Sequence, residues 1–101
     1  MSISFDDLAI QSFFQSLRLE GLQPGTIASY RRLLQQFLAG LPPEVGSLSD
    51  VQLSHFVTFV NRQKERGLSS STTSNMAVSL RRFFAYLAAE KSIPMNPARN
   101  L

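Results

Sequence analysis

One phrase occurs twice in this chain and limits what it can fold into. Gly21-Leu22-Gln23-Pro24-Gly25-Thr26 and Gly67-Leu68-Ser69-Ser70-Ser71-Thr72 begin 46 residues apart. Each follows a charged helix end, with Arg18 and Glu20 before the first and Lys64, Glu65 and Arg66 before the second. Each opens an amphipathic stretch that carries paired arginines and no acid, Arg31-Arg32 and Arg81-Arg82. A glycine that stops one helix, followed at once by residues that start the next, reads as a helical hairpin made twice. Helix starts rich in small hydrogen-bonding residues and backed by unopposed positive charge suit a sugar-phosphate backbone. The competing explanation is a repeated hairpin with ordinary solvated arginines.

The apolar periodicity predicts four helices, near 4–20, 24–40, 50–66 and 70–90. In the first, Ser4 is expected to cap and Asp7 to close a capping box, ahead of Ile10, Phe13, Phe14 and Leu17 at helical spacing. In the second, Pro24 suits the first turn, where its missing N–H costs nothing. Its stripe is Ile27, Tyr30, Leu34, Phe37 and Leu38, and Gly40 stops it. Leu41-Pro42-Pro43-Glu44-Val45-Gly46-Ser47 is the one long connection. The third is expected to start at Ser49, with Gln52 three residues on and Leu53, Phe56, Val57 and Val60 buried. Residues 55–60 also have strand propensity, but the capping signal and the polar end at Asn61–Arg66 favour helix. Ser69, Ser70 or Thr72 caps the fourth, with Met76, Leu80, Phe83, Phe84 and Leu87 as its stripe. Ile93-Pro94-Met95-Asn96-Pro97 reads as extended linker, because each proline pushes its predecessor out of the helical region. The expected fold class is all-α, a bundle of two helical hairpins.

Composition narrows the function classes. A chain of 101 residues makes one domain. It has no cysteine and one histidine, so neither disulfides nor a metal site is expected, and no cofactor. No 18-residue apolar run and no secretory leader pattern are present, so the chain reads as soluble, intracellular and cytoplasmic, with no membrane partner. The net charge of +3 is modest, but its placement is uneven. Residues 1–20 are net −2, residues 41–66 balance three acids against three bases, and residues 23–40 and 68–89 carry two arginines each and nothing acidic. That asymmetry points to a polyanionic partner.

Several spacings resemble one known family. Gly21-Leu22-x-x-x-Thr26-x-x-x-Tyr30-Arg31-x-x-Leu34-x-x-Phe37-Leu38 is similar to the second-helix signature of the N-terminal core-binding domain of tyrosine recombinases, the phage integrase family. Leu48-Ser49-x-x-x-Leu53-x-x-Phe56-Val57 resembles that domain's third helix. Gly67-Leu68-Ser69-x-x-Thr72 with Leu80-Arg81-x-Phe83-Phe84-x-Tyr86-Leu87 resembles its fourth, and Asn96-Pro97-Ala98 its exit toward the catalytic domain. The resemblance covers nearly the whole chain, in the right order. It implies a SAM-like helical bundle over 1–92 and the start of a linker over 93–101. It also implies that the second and fourth helices meet DNA, clamping one face of a recombination core site. Strand cleavage and rejoining would belong to a separate C-terminal domain that this chain lacks. The implied partners are double-stranded DNA, that catalytic domain and sister recombinase protomers, and the implied setting is a bacterial or phage-encoded protein at the nucleoid. Two departures matter: the family often has Ser where this chain has Gln23, and a basic residue where it has Asn75 or Met76. Fewer phosphate contacts are therefore expected here.

The candidate DNA-binding residues are Gly25, Thr26, Ser29, Arg31 and Arg32 on the second helix. On the fourth they are Ser70, Ser71, Ser74, Asn75, Arg81 and Arg82. Thr26, Ser29 and Arg32 fall away from the apolar stripe, and Gly25 permits close backbone approach. Adjacent arginines diverge by about 100°, so at most one of Arg81 and Arg82 faces DNA squarely. Asn75 is a candidate reader of adenine. Against these stand a capping role for Thr26, a serine-rich cap on the fourth helix and solvated arginines. No catalytic residue is expected, because Tyr30 and Tyr86 lie by apolar stripes without a nucleophile-base constellation. His55 reads as a surface or half-buried residue, and Phe59 as an additional core residue or a contact with a neighbour. The alternatives to a DNA-binding module are a helical protein-interaction domain and, without support from any motif, a small enzyme.

Overall fold

The computed structural model describes Ile3 and residues 7–99. Among them every regular element is helical: α1 (Leu8–Leu19), α2 (Pro24–Ala39), a short 3-10 turn at Leu48–Asp50, α3 (Leu53–Glu65) and α4 (Ser70–Ala89). Residues 55–60 are helix, not strand. The chain divides into two units, Met1–Ser47 and Leu48–Leu101. In the first α1 packs on α2, and in the second α3 packs on α4. The fold is all-α and built of two helical hairpins.

The repeated phrase is the turn of each hairpin. Gly21 and Gly67 take φ of 80° and 90°, in the left-handed region. The Gly21 N–H donates to the Arg18 carbonyl at 3.0 Å and the Leu22 N–H to the Leu17 carbonyl at 3.3 Å. At the second turn Gly67 donates to Lys64 at 2.9 Å and Leu68 to Gln63 at 3.2 Å. These paired bonds satisfy the last carbonyls of α1 and α3 in the Schellman arrangement. The next residue, Gln23 or Ser69, is already the N-cap of the following helix. Glycine is needed for its backbone alone, since a Cβ at either position would meet no atom within 4 Å. The end of α4 repeats the device without glycine. Lys91 has φ 60°, donating to Ala88 at 3.1 Å, and Ser92 donates to Leu87 at 2.9 Å.

Three helix starts differ from expectation or resolve it. The N-cap of α1 is Asp7, whose carboxylate accepts from the Ala9 N–H at 2.8 Å, so Asp7 lies outside the helix rather than in its first turn. The expected cap Ser4 lies outside the described residues. Ser49 does not start α3: it sits within the 3-10 turn, and α3 begins at Leu53 with Gln52 as N-cap. His55 closes that start, its Nδ1 accepting the Gln52 backbone N–H at 2.9 Å. This gives His55 a capping role. Of the three candidates on α4, Ser69 is the cap, accepting from the Thr72 N–H at 3.1 Å.

In the first unit Ile10, Phe13, Phe14 and Leu17 of α1 are buried, with Leu33, Leu34, Phe37 and Leu38 of α2 and Val45 of the loop. Tyr30 is half-buried and meets Phe13 edge-on, ring centres 5.8 Å apart. In the second unit Phe56 meets Phe84 at 5.0 Å and Phe83 meets Phe84 at 4.9 Å, both edge-on, as aromatic quadrupoles prefer. Leu80 and Leu87 are fully buried beside them in sequence on α4. The face of α3 is rotated from the expected one. Phe56, Phe59 and Gln63 are buried, Val60 is half-buried, and Leu53 and Val57 are exposed. At about 100° per residue, Leu53 and Val57 lie some 60–100° round from Phe56 on the side opposite Phe59. Phe59 is thus a core residue. Residues 93–98 do not run extended. They turn, burying Ile93 and Ala98, while Asn96 Nδ2 donates to the Arg81 carbonyl at 3.3 Å and Asn96 Oδ1 accepts from the Ala98 N–H at 2.9 Å.

Phe83 has no exposed surface, so Phe83→Ala is expected to destabilise by about 3–5 kcal/mol in a denaturant titration. A loss below about 1 kcal/mol would show that Phe83 carries little of the packing. The turns give a prediction of opposite signs. Gly67→Ala forces a side chain into a positive φ and should cost roughly 1–2 kcal/mol. Lys91→Gly removes the same strain at the end of α4 and should stabilise by about 0.5–1 kcal/mol after the added freedom of the unfolded chain. Thermal melts of both variants shifting in one direction would contradict this account of the turns.

Candidate nucleic-acid interface

The outward face of α2 begins where its inward stripe leaves room. Gly25, Ser29, Arg32 and Gln36 are all exposed and lie within about 60° of one another around the helix axis. They are linked along the face. Ser29 Oγ donates to the Gly25 carbonyl at 3.1 Å, and Arg32 Nη2 donates to Ser29 Oγ at 3.3 Å. The guanidinium is therefore held against the helix surface with its charge outward. Among the described residues no atom lies within 4 Å of where a Gly25 Cβ would be, so the backbone there is uncovered by a side chain of its own. Thr26 is also exposed, about 100° round from Gly25. It is not the N-cap. That position is Gln23, which contributes no side-chain hydrogen bond to the first turn.

Arg31 takes a different direction. It is half-buried, its guanidinium carbon 4.5 Å from the centre of the Phe14 ring, a cation–π contact across the hairpin. With Arg18, Leu22, Pro24, Ile27 and Ala28 it lines a shallow cleft of about 390 Å³. So the first arginine pair divides: Arg31 supports the α1–α2 contact and Arg32 stands on the outward strip.

On α4, Ser71, Ser74, Asn75, Val78 and Arg82 are exposed. Ser71, Asn75, Val78 and Arg82 recur at helical spacing and form one ridge, with Ser74 beside it. Ser70 is exposed but lies about 100° from Ser71, and its carbonyl accepts a hydrogen bond from Thr73 Oγ1 at 3.1 Å. Arg81 is half-buried, and its carbonyl receives Asn96. The second pair divides like the first, with Arg82 on the ridge and Arg81 at its flank.

Two participants were not legible as candidates in the sequence. Val78 is 52% exposed although apolar, and Arg18 shares the cleft with Arg31. Helical spacing from Asn75 would have found the first. Nothing in the order of residues marks the second, which depends on how α1 packs on α2. Tyr30 and Tyr86 are half-buried, and Tyr30 packs on Phe13. Among the described residues no group of three His, Cys, Asp or Glu side chains is placed to hold a metal ion. Among them, too, no helix is long and apolar enough to cross a membrane.

Comparison with known proteins agrees with this architecture. Residues 10–91 match the family described as phage integrase, N-terminal SAM-like domain. The chain is 34% identical over 94 residues to the tyrosine recombinase XerC of Herpetosiphon aurantiacus, covering 91% of this chain and 31% of that protein. It is 33% identical over 97 residues to XerC of Pseudomonas syringae pv. syringae, covering 94% and 32%. It is 28% identical over 98 residues to the tyrosine recombinase XerD of Oceanobacillus iheyensis, covering 94% and 33%. The chain spans about a third of the length of these relatives. No solved structure matches it. The match runs from within α1 to just past α4, so both hairpins and both of their glycine turns fall inside it, and the chain belongs to the phage integrase N-terminal SAM-like domain family.

Proposed function

We propose that this chain is the DNA-binding module of a site-specific tyrosine recombinase. It grips the duplex at the core recombination site through the outward faces of α2 and α4, and a separate C-terminal domain carries out strand cleavage and rejoining. Its partners are duplex DNA, that catalytic domain and sister protomers on the same DNA, and it works at the nucleoid of a bacterial cell, on a phage or mobile element or on the chromosome. The observation that carries the reading is electrostatic. Each of these helices presents an exposed ridge with hydroxyl or amide groups and one arginine, and neither helix contains an acid. Neither helix therefore contributes a carboxylate of its own to repel a polyanion. The printed names of the relatives supply the recombinase context.

On this reading each contact has a role. Arg32 and Arg82 pair with phosphate oxygens and displace condensed counterions. Ser29, Ser71 and Ser74 donate to phosphate oxygens, Gly25 lets the backbone come close, and Thr26 and Ser70 flank the strips. Asn75 faces base edges, where its amide matches the donor-acceptor pair of adenine. Arg31 and Arg81 act at the margins and hold the ridges in place.

Titration of labelled duplex at two salt concentrations tests this. The 101-residue chain should bind with Kd of about 10⁻⁴–10⁻⁶ M at physiological salt, the non-specific range. Arg32→Ala and Arg82→Ala should each weaken binding evenly across sequences and reduce the salt slope by about one ion. Arg31→Ala should change the slope less and lower stability instead, because its guanidinium covers Phe14. Asn75→Ala should shift preference among duplexes and leave the salt slope alone. Equal, salt-independent binding by the wild type and the Arg32/Arg82 double variant would refute the DNA reading and promote a protein-interaction role.

A further inference from the structure

Val78 stands on the open face of α4. It is 52% exposed in the middle of α4, and it is the one large apolar side chain exposed on either α2 or α4 among the described residues. A β-branched residue on the open face of a helix loses rotamer freedom and so lowers helix propensity relative to alanine. Core packing normally offsets that loss, and here the residue stays about half exposed. A single surface valine is unremarkable by itself. Its neighbours make the difference: Asn75 stands one turn before it, Arg82 one turn after it, and Ser71 two turns before it, all exposed and within about 60° round the axis.

Duplex DNA offers one apolar group to a helix lying in its major groove, the C5-methyl of thymine. An amide that reads adenine and an apolar side chain one turn on match adjacent features of A·T-containing steps. We propose that Val78 is a specificity residue of the α4 ridge, and that it packs against the thymine C5-methyl while Asn75 reads adenine. The inference rests on the duplex-binding reading above and adds the base class to it. Charge complementarity supports DNA as the occupant of this ridge, since α4 carries arginines and no acid.

The test needs no knowledge of the target site. Binding of the 101-residue chain is measured on an alternating A·T duplex and on the same duplex with every thymine replaced by uracil, which removes only the methyl groups. Wild type should bind the uracil duplex about fourfold more weakly, the effect of exposing one methyl-sized apolar group. Val78→Ala should bind the two equally, and Val78→Thr, which keeps one methyl, should retain part of the difference. Because Val78 is exposed, circular dichroism should show all three folded. Arg82→Ala serves as the control: it should weaken binding to both duplexes and preserve their ratio. Salt-dependent binding with no thymine-uracil difference in the wild type would overturn the role of Val78 and leave the DNA-binding module intact. An undiminished difference in Val78→Ala would overturn it as well. Absence of salt-dependent binding to either duplex would instead remove the reading on which the inference stands.

Discussion

The left-handed glycine turn is the constraint on which the rest of this structure depends. At Gly21 and Gly67 the backbone enters a region closed to most side chains, and the last carbonyls of one helix are satisfied in the same few residues that begin the next. The reversal leaves no slack. One leucine separates each glycine from the following N-cap, so the phase of the second helix of each hairpin is set relative to the first. With that phase fixed, the buried stripe of α2 is decided by Leu34 and Phe37, and that of α4 by Leu80, Phe83 and Leu87. What remains outward is then decided too. The ridges Gly25-Ser29-Arg32 and Ser71-Asn75-Val78-Arg82 are the complements of these stripes.

The same geometry explains why each arginine pair does two things. Adjacent helical residues point about 100° apart, so a pair cannot serve a single surface. Arg31 falls toward α1, where the face of Phe14 accepts its guanidinium at 4.5 Å. That contact seats the guanidinium on the hairpin through the aromatic face of Phe14. Ser29 performs the corresponding service for Arg32, as a hydroxyl partner that leaves the full charge available.

Much of this fold could be read from the order of residues, because most of it is local. Caps, stripes and glycine stops are decided over spans of four to seven residues, and α2 and α4 begin where those signals place them. The differences arise where two local solutions compete or where a distant group decides. Ser49 and Gln52 are both acceptable helix starts. The Leu48–Asp50 turn consumes the first and His55 closes the second, a bond made by a histidine where glutamate or glutamine is usual. The buried face of α3 also differs, leaving Leu53 and Val57 exposed and taking Phe59 inside. For the candidate site, the residue types and the two helices were legible, since acids are absent from both segments. The division of labour within each pair was not, because it depends on how each arginine sits against its neighbours, Phe14 in the case of Arg31.

Residues 93–98 show how little proline alone determines. Pro94 and Pro97 forbid helix at the residues before them, and an extended path satisfies that rule as well as a turn does. Asn96 decides between the two. Its amide nitrogen reaches the Arg81 carbonyl, fifteen residues back in the chain, while its oxygen takes the Ala98 N–H. An aspartate could make the second bond but not the first, having no N–H to donate, and a serine is too short to span both. The left-handed Lys91 directs the chain back toward α4, and Ile93 and Ala98 are buried as it returns. The result is a second clasp on α4, on the flank of Arg81 and away from the ridge of Arg82. The exit is therefore anchored on the backbone of α4 at Arg81, beside the ridge that carries Arg82 and not on it.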